Sequence, residues 1–134
     1  MALSTQDALI HLMVAAAASD DAISEVELER IQSLVLRTPV FNGFDGGRFA
    51  AVANTAVDLI NASGIEAAVE AALAAIPDKL QDTAYALAVE ITVVDLALPQ
   101  EELRLLEMIR DALKIDRLVT AAIEASARAR MRTA

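Results

Sequence analysis

The chain has 134 residues, 56% of them hydrophobic with alanine dominant and only 3% aromatic, and its formal net charge is −9. That length holds one domain with a real core, the scarcity of Gly and Pro favours helices over strands, and the lack of cysteine excludes a disulfide framework, a thiolate metal site and a cysteine nucleophile. The acidic balance excludes a general nucleic-acid binder, which needs a basic footprint, and suits a protein that attracts cations or basic partners.

In chain order, a first helix is expected from about Thr5 to Ser19, capped by Ser4 or Thr5. Ala8 to Ser19 is apolar like the centre of a signal peptide, but Asp7 stands where basic residues belong and His11 interrupts it. The stretch reads as a core helix. Ser24 opens a second helix with Glu27 three residues on, the capping-box spacing, and Pro39 stops that helix after Arg37. Thr38 to Gly47 is a loop holding Asn42-Gly43 and Gly46-Gly47. Phe41 and Phe44 within it plug the loop onto the core, the alternative being a wedge for a partner.

Asp45 is the expected cap of a third helix with Phe49, Val52, Ala53, Ala56, Leu59 and Ile60 in one stripe, ended by Gly64. A fourth, Ile65 to Ala75, buries Ile65, Val69, Ala72 and Leu73 and shows Glu66 and Glu70 to solvent. Pro77 opens the fifth, which runs to Val94 or Asp95. Pro99 starts the sixth, ending near Lys114, and the seventh begins near Asp116 with Leu118, Val119, Ala122, Ile123 and Ser126 at helical spacing. Arg128, Arg130 and Arg132 at its end suit the negative end of a helix dipole, the alternative being a docking patch for an acidic partner. No segment is long and clean enough to cross a bilayer, since Glu90 and Asp95 interrupt the second apolar stretch.

The chain also echoes itself. Ser19 to Leu28 returns as Val94 to Leu103 at a constant offset of 75 residues, so that Asp20, Ala22, Glu27 and Leu28 recur as Asp95, Ala97, Glu102 and Leu103. Leu12 and Val14 recur as Leu87 and Val89. An internal period of this kind predicts two copies of one unit, here helix–turn–helix halves over approximately 7–34 and 82–109. The expectation is an all-α, single helical domain of about seven helices in two pseudo-repeated halves.

Each copy carries an Asp before its turn and a Glu after it. At about 100° per residue, Glu27 falls inside the apolar arc of Leu28, Ile31, Leu34 and Val35, and Glu102 inside that of Leu103, Leu106, Ile109 and Leu113. Carboxylates at an apolar seam need a cation, hydrogen bonds or a raised pKa. With no thiolate and one histidine in the chain, Asp20, Glu27, Asp95 and Glu102 favour a hard divalent cation such as Ca²⁺, Mg²⁺ or Mn²⁺, with Zn²⁺ as a further candidate. Asp21 adds an oxygen in the first copy only. Neither turn has the alternating acids and central glycine of an EF-hand. The alternative is that the four acids are structural helix caps in a protein-interaction or scaffold domain.

No catalytic residues are expected. His11 sits in an apolar helix and corresponds to Ala86 in the second copy, and no phosphate loop, His-Glu-x-x-His or dinucleotide fingerprint occurs.

These two turns, Ala18-Ser19-Asp20-Asp21-Ala22-Ile23-Ser24-Glu25-Val26-Glu27 and Asp95-Leu96-Ala97-Leu98-Pro99-Gln100-Glu101-Glu102, resemble the tellurite-resistance TerB-like family. The resemblance implies an all-helical fold of two similar halves and divalent-cation binding at Asp20, Glu27, Asp95 and Glu102. It also implies a cytoplasmic role in tellurite or other stress response, with protein partners in a membrane-associated complex, while the residues themselves lead us to expect no enzymatic activity, no nucleic acid and no membrane insertion. Where that family carries glycine after the first Asp, this chain has Asp21 and Leu96, which implies a different turn.

Overall fold

The first helix, α1 (Thr5–Ala17), is apolar on every side. Every residue from Ala8 to Ala17 is buried, and Ser4 caps its start by accepting the Asp7 N–H at 3.1 Å. A helix hydrophobic all round belongs at the centre of a fold, and α1 packs against α2, α3, α4, α5 and α6. Its alanines at 15 and 16 let those neighbours approach closely. The computed structural model describes residues 3–18, 23–92 and 100–134, with side chains from 104 onward in the last span.

Around α1 stand α2 (Glu25–Arg37), α3 (Phe49–Ser63), α4 (Ile65–Ala74), α5 (Gln81–Thr92), α6 (Gln100–Ala112) and α7 (Arg117–Arg130). The described residues thus hold seven helices and no strand, an all-α arrangement around one hydrophobic core. None of these helices is long and apolar enough to cross a membrane.

The loop after α2 is more ordered than its composition predicts, with 3-10 turns at Pro39–Phe41 and Gly46–Arg48. Gln6 of α1 donates to the carbonyls of Val40 (3.2 Å) and Asn42 (3.1 Å), and Arg48 bonds the Asp7 carboxylate at 3.0 Å. Phe41 is buried and meets Phe44 edge to face at 6.2 Å, while the Arg48 guanidinium lies over the Phe44 ring. Both rings therefore fasten the loop to the core. Asp45 caps the second 3-10 turn, accepting the Gly47 N–H at 2.9 Å, and that turn leads directly into α3.

Gly64 joins α3 to α4 at φ 90°, ψ 160°, donating its N–H to Ile60. L-residues avoid that conformation. Nothing lies within 4 Å of the position a Cβ would take, so strain alone decides a substitution. Gly64→Ala is expected to lower stability by about 1–3 kcal/mol. Gly46→Ala, in ordinary backbone, should stay within about 0.5 kcal/mol. Urea melts of the two variants check this, and equal costs would remove the backbone explanation.

Two details differ from the pattern of the sequence. Pro77 heads a 3-10 turn, Asp78–Leu80, before α5 proper begins at Gln81. More consequentially, most of the apolar stripe of α7 stays outside the core, only Ile123 packing against it. Leu118 is 80% and Val119 39% exposed, while the helix turns Thr120 and Ala127 inward with Ile123 and Glu124 half-buried. The reason lies on α5: the buried Tyr85 hydroxyl needs an acceptor and donates to Glu124 Oε2 at 2.7 Å. Small Thr120 and Ala127 allow the approach.

Candidate functional site

The first turn is built from a local rule. Ser24 Oγ accepts the Glu27 N–H at 3.1 Å, and Glu27 Oε1 accepts the Ser24 N–H at 3.0 Å. This reciprocal capping box satisfies two otherwise free donors at the start of α2. It also fixes the Glu27 carboxylate against the turn, half-buried beside partly buried Leu28. An ionised carboxylate offers about four lone-pair sites, and the cap uses one. Glu27 therefore fits both a cap and a cation ligand.

Of the other predicted ligands, Asp20 and Asp95, like Asp21, lie outside the described residues. Glu102 belongs to α6, but its side chain lies outside them as well. The helices that lead into and out of the two turns do meet: α1 contacts α2, α5 and α6, and α5 contacts α2 and α6. Among the described residues no three His, Cys, Asp or Glu side chains come together as a metal site. A complete site therefore requires at least one acid outside the described side chains, such as Asp20, Asp95 or Glu102.

His11 is buried at 4% exposure, as expected of a histidine on an apolar helix. Its Nδ1 and the Oδ1 of Asp7, one turn earlier, are buried and make no hydrogen bond among the described residues. Burial pushes the imidazole pKa below its usual 6.5, with the Asp7 charge opposing in part. Below that pH the unfolded chain takes up a proton that the folded chain refuses. Stability is therefore expected to fall as pH drops below 6.5, until the folded-state pKa is passed. His11→Leu should flatten that slope in melts across the window, and an unchanged slope would place its origin elsewhere.

The polar cluster of Tyr85, Glu124 and Arg110 is not visible in the sequence pattern. Arg110 of α6 sits 3.7 Å from Glu124 of α7, so three helices share the contact. Burial, with Glu124 as hydrogen-bond partner and nearby charge, pushes the Tyr85 pKa well above its usual 10. The phenol therefore stays protonated and serves as a donor, not as a base. A second tie joins Arg130 of α7 to Glu90 of α5, with the Ser126 hydroxyl accepting from Arg130 at 2.7 Å. Each tie pairs a carboxylate with a hydrogen-bond donor across two helices. No protein-family model, no curated protein and no solved structure matches this chain.

Proposed function

We propose that this chain is a non-enzymatic, TerB-like helical module that takes a hard divalent cation on carboxylates at its two interhelical turns, acting in the cytoplasm in tellurite or other stress response. The observation that carries the reading is Glu27. Its carboxylate is fixed at the turn by Ser24, half-buried at the apolar seam, with acceptor capacity beyond the single capping bond. The 75-residue echo places Glu102 at the matching position of α6 and Asp20 and Asp95 before each turn. The contacts of α1 with α2, α5 and α6, and of α5 with α2 and α6, support a reading in which two halves, about 7–34 and 82–109, bring the turns together. Oxygen-only ligands suit Ca²⁺, Mg²⁺ or Mn²⁺. A second reading is favoured by the same capping box: the acids are helix caps, and the module is a scaffold for protein partners.

Calorimetric titration with each ion separates the two. A saturable heat for at least one divalent cation, lost in Glu27→Gln, is expected. Gln keeps the capping-box geometry and removes the charge. Absence of binding by every ion tested leaves the capping reading.

A further inference from the structure

The apolar face of α7, of which only Ile123 packs against the core, lines a groove of about 440 Å³, walled by Leu118, Val119, Ala122, Ile123 and Ser126 with Ala86 of α5 opposite. The two helices run in the same direction, since Tyr85 meets Glu124 and Glu90 meets Arg130. Leu118 is the most exposed large hydrophobic side chain among the described residues, at 80%. A lone exposed leucine needs no explanation. One that heads a continuous apolar groove does.

We propose that this groove is the contact face of a symmetric dimer, and that its occupant is the same groove of a second copy of the chain. Shape is the first argument. The face carries a projecting Leu118 on one side of Ala122 and the small Ser126 at the matching distance on the other, with Ala86 of α5 alongside. A twofold axis passing by Ala122 sets α7 antiparallel to its counterpart and brings each Leu118 opposite the partner's Ser126, so that each knob meets the other copy's hollow. A face that contains both halves of the fit is what an isologous interface requires.

Charge is the second argument, and it discriminates between occupants. Past Val119 the groove opens onto Asp78, Asp82 and Asp116, offset by Lys79 and Lys114. Past Ala86 and Arg130 it opens onto Arg37 and Glu90, with Arg30 beyond. One end is therefore net acidic and the other net basic. Under the twofold each acidic end meets a basic end. A uniformly acidic or uniformly basic segment would meet its own sign at one end. An anionic bilayer is further disfavoured by the net charge of −9. The apolar face is small, which puts the dimer among weak interfaces.

Sedimentation equilibrium of the full chain across the micromolar range tests this. The wild type is expected to approach twice 14.2 kDa. Leu118→Glu is expected to weaken association by about tenfold or more with an unchanged far-UV spectrum, because Leu118 is not part of the core. The chain has no cysteine, so single substitutions report proximity. Ala122→Cys should close a disulfide-linked dimer under mild oxidation, whereas Ala62→Cys, exposed on α3, should not. A wild type that stays at 14.2 kDa overturns the proposal. So does a dimer indifferent to Leu118→Glu, or Ala122→Cys cross-linking no faster than Ala62→Cys. A monomer whose groove instead takes up anionic vesicles or an added amphipathic peptide overturns it as well.

Discussion

Leu12→Ala is expected to lower the unfolding free energy by about 2–5 kcal/mol, a large share of the roughly 5–15 kcal/mol typical of a domain. Leu12 is fully buried on α1, the helix that touches five others, and no side of α1 offers space into which the surroundings could relax. The cost combines lost transfer free energy with the cavity left behind, and close-packed neighbours keep that cavity open. The contrast lies on α7. Leu118 is 80% exposed, and Leu118→Ala is expected to change monomer stability by less than about 0.5 kcal/mol. Urea titrations at low protein concentration read both. Similar costs for the two leucines would mean that α1 is not the centre of the core.

That pair also marks how far the fold is legible in the sequence. Elements governed by local rules are readable: Ser4 caps α1, the Ser24–Glu27 box opens α2, Gly64 separates α3 from α4 and Asp116 caps α7. Each depends on residues within one turn of each other, so spacing alone identifies it. The central place of α1 is readable too, because ten consecutive residues from Ala8 to Ala17 leave no polar face. Which face of α7 turns inward is not readable. Periodicity marks Leu118, Val119, Ala122 and Ile123, yet the helix is oriented by the Tyr85 hydroxyl, 39 residues away from Glu124 in sequence. A half-buried glutamate at the core side of a helix reads as surface until its donor is known. The loop after α2 is a parallel case. Gly and Asn mark it as irregular, whereas its order comes from Gln6 and Asp7 on α1.

The candidate site divides in the same way. The capping role of Glu27 follows from Ser24 three residues earlier. The convergence of Asp20, Glu27, Asp95 and Glu102 depends on how two distant turns are brought together, and only the Glu27 side chain among them lies within the described residues. The echo supplies the spacing, and among the described residues α1 and α5, which precede the two turns, pack against each other.

If the four carboxylates converge, they hold up to four negative charges that cannot all stay ionised cheaply without a cation. A bound divalent ion then stabilises the folded state by mass action, by about 2.7 kcal/mol at a hundredfold excess over its dissociation constant. The stabilisation is expected to be lost in Glu27→Gln and in Glu102→Gln. Because the two acids would serve one ion, the double change should cost less in the presence of metal than the two single changes added together. Helix capping predicts otherwise. Glu27→Gln keeps the capping hydrogen bond, and Glu102, with Pro99 standing where Ser24 stands in the first copy, has no such N–H to accept. On this reading each change costs at most about 1 kcal/mol and is independent of metal.

The most direct measurement is a set of matched thermal melts of the wild type, both single variants and the double variant, in chelator and in excess Ca²⁺, Mg²⁺, Mn²⁺ or Zn²⁺. The metal-binding account predicts a wild-type melting temperature raised by at least one ion, a shift abolished in each single variant, and a double variant no worse than either. A wild-type melt that no ion moves, with single costs that add in the double variant, would contradict it and leave the four acids as structural groups.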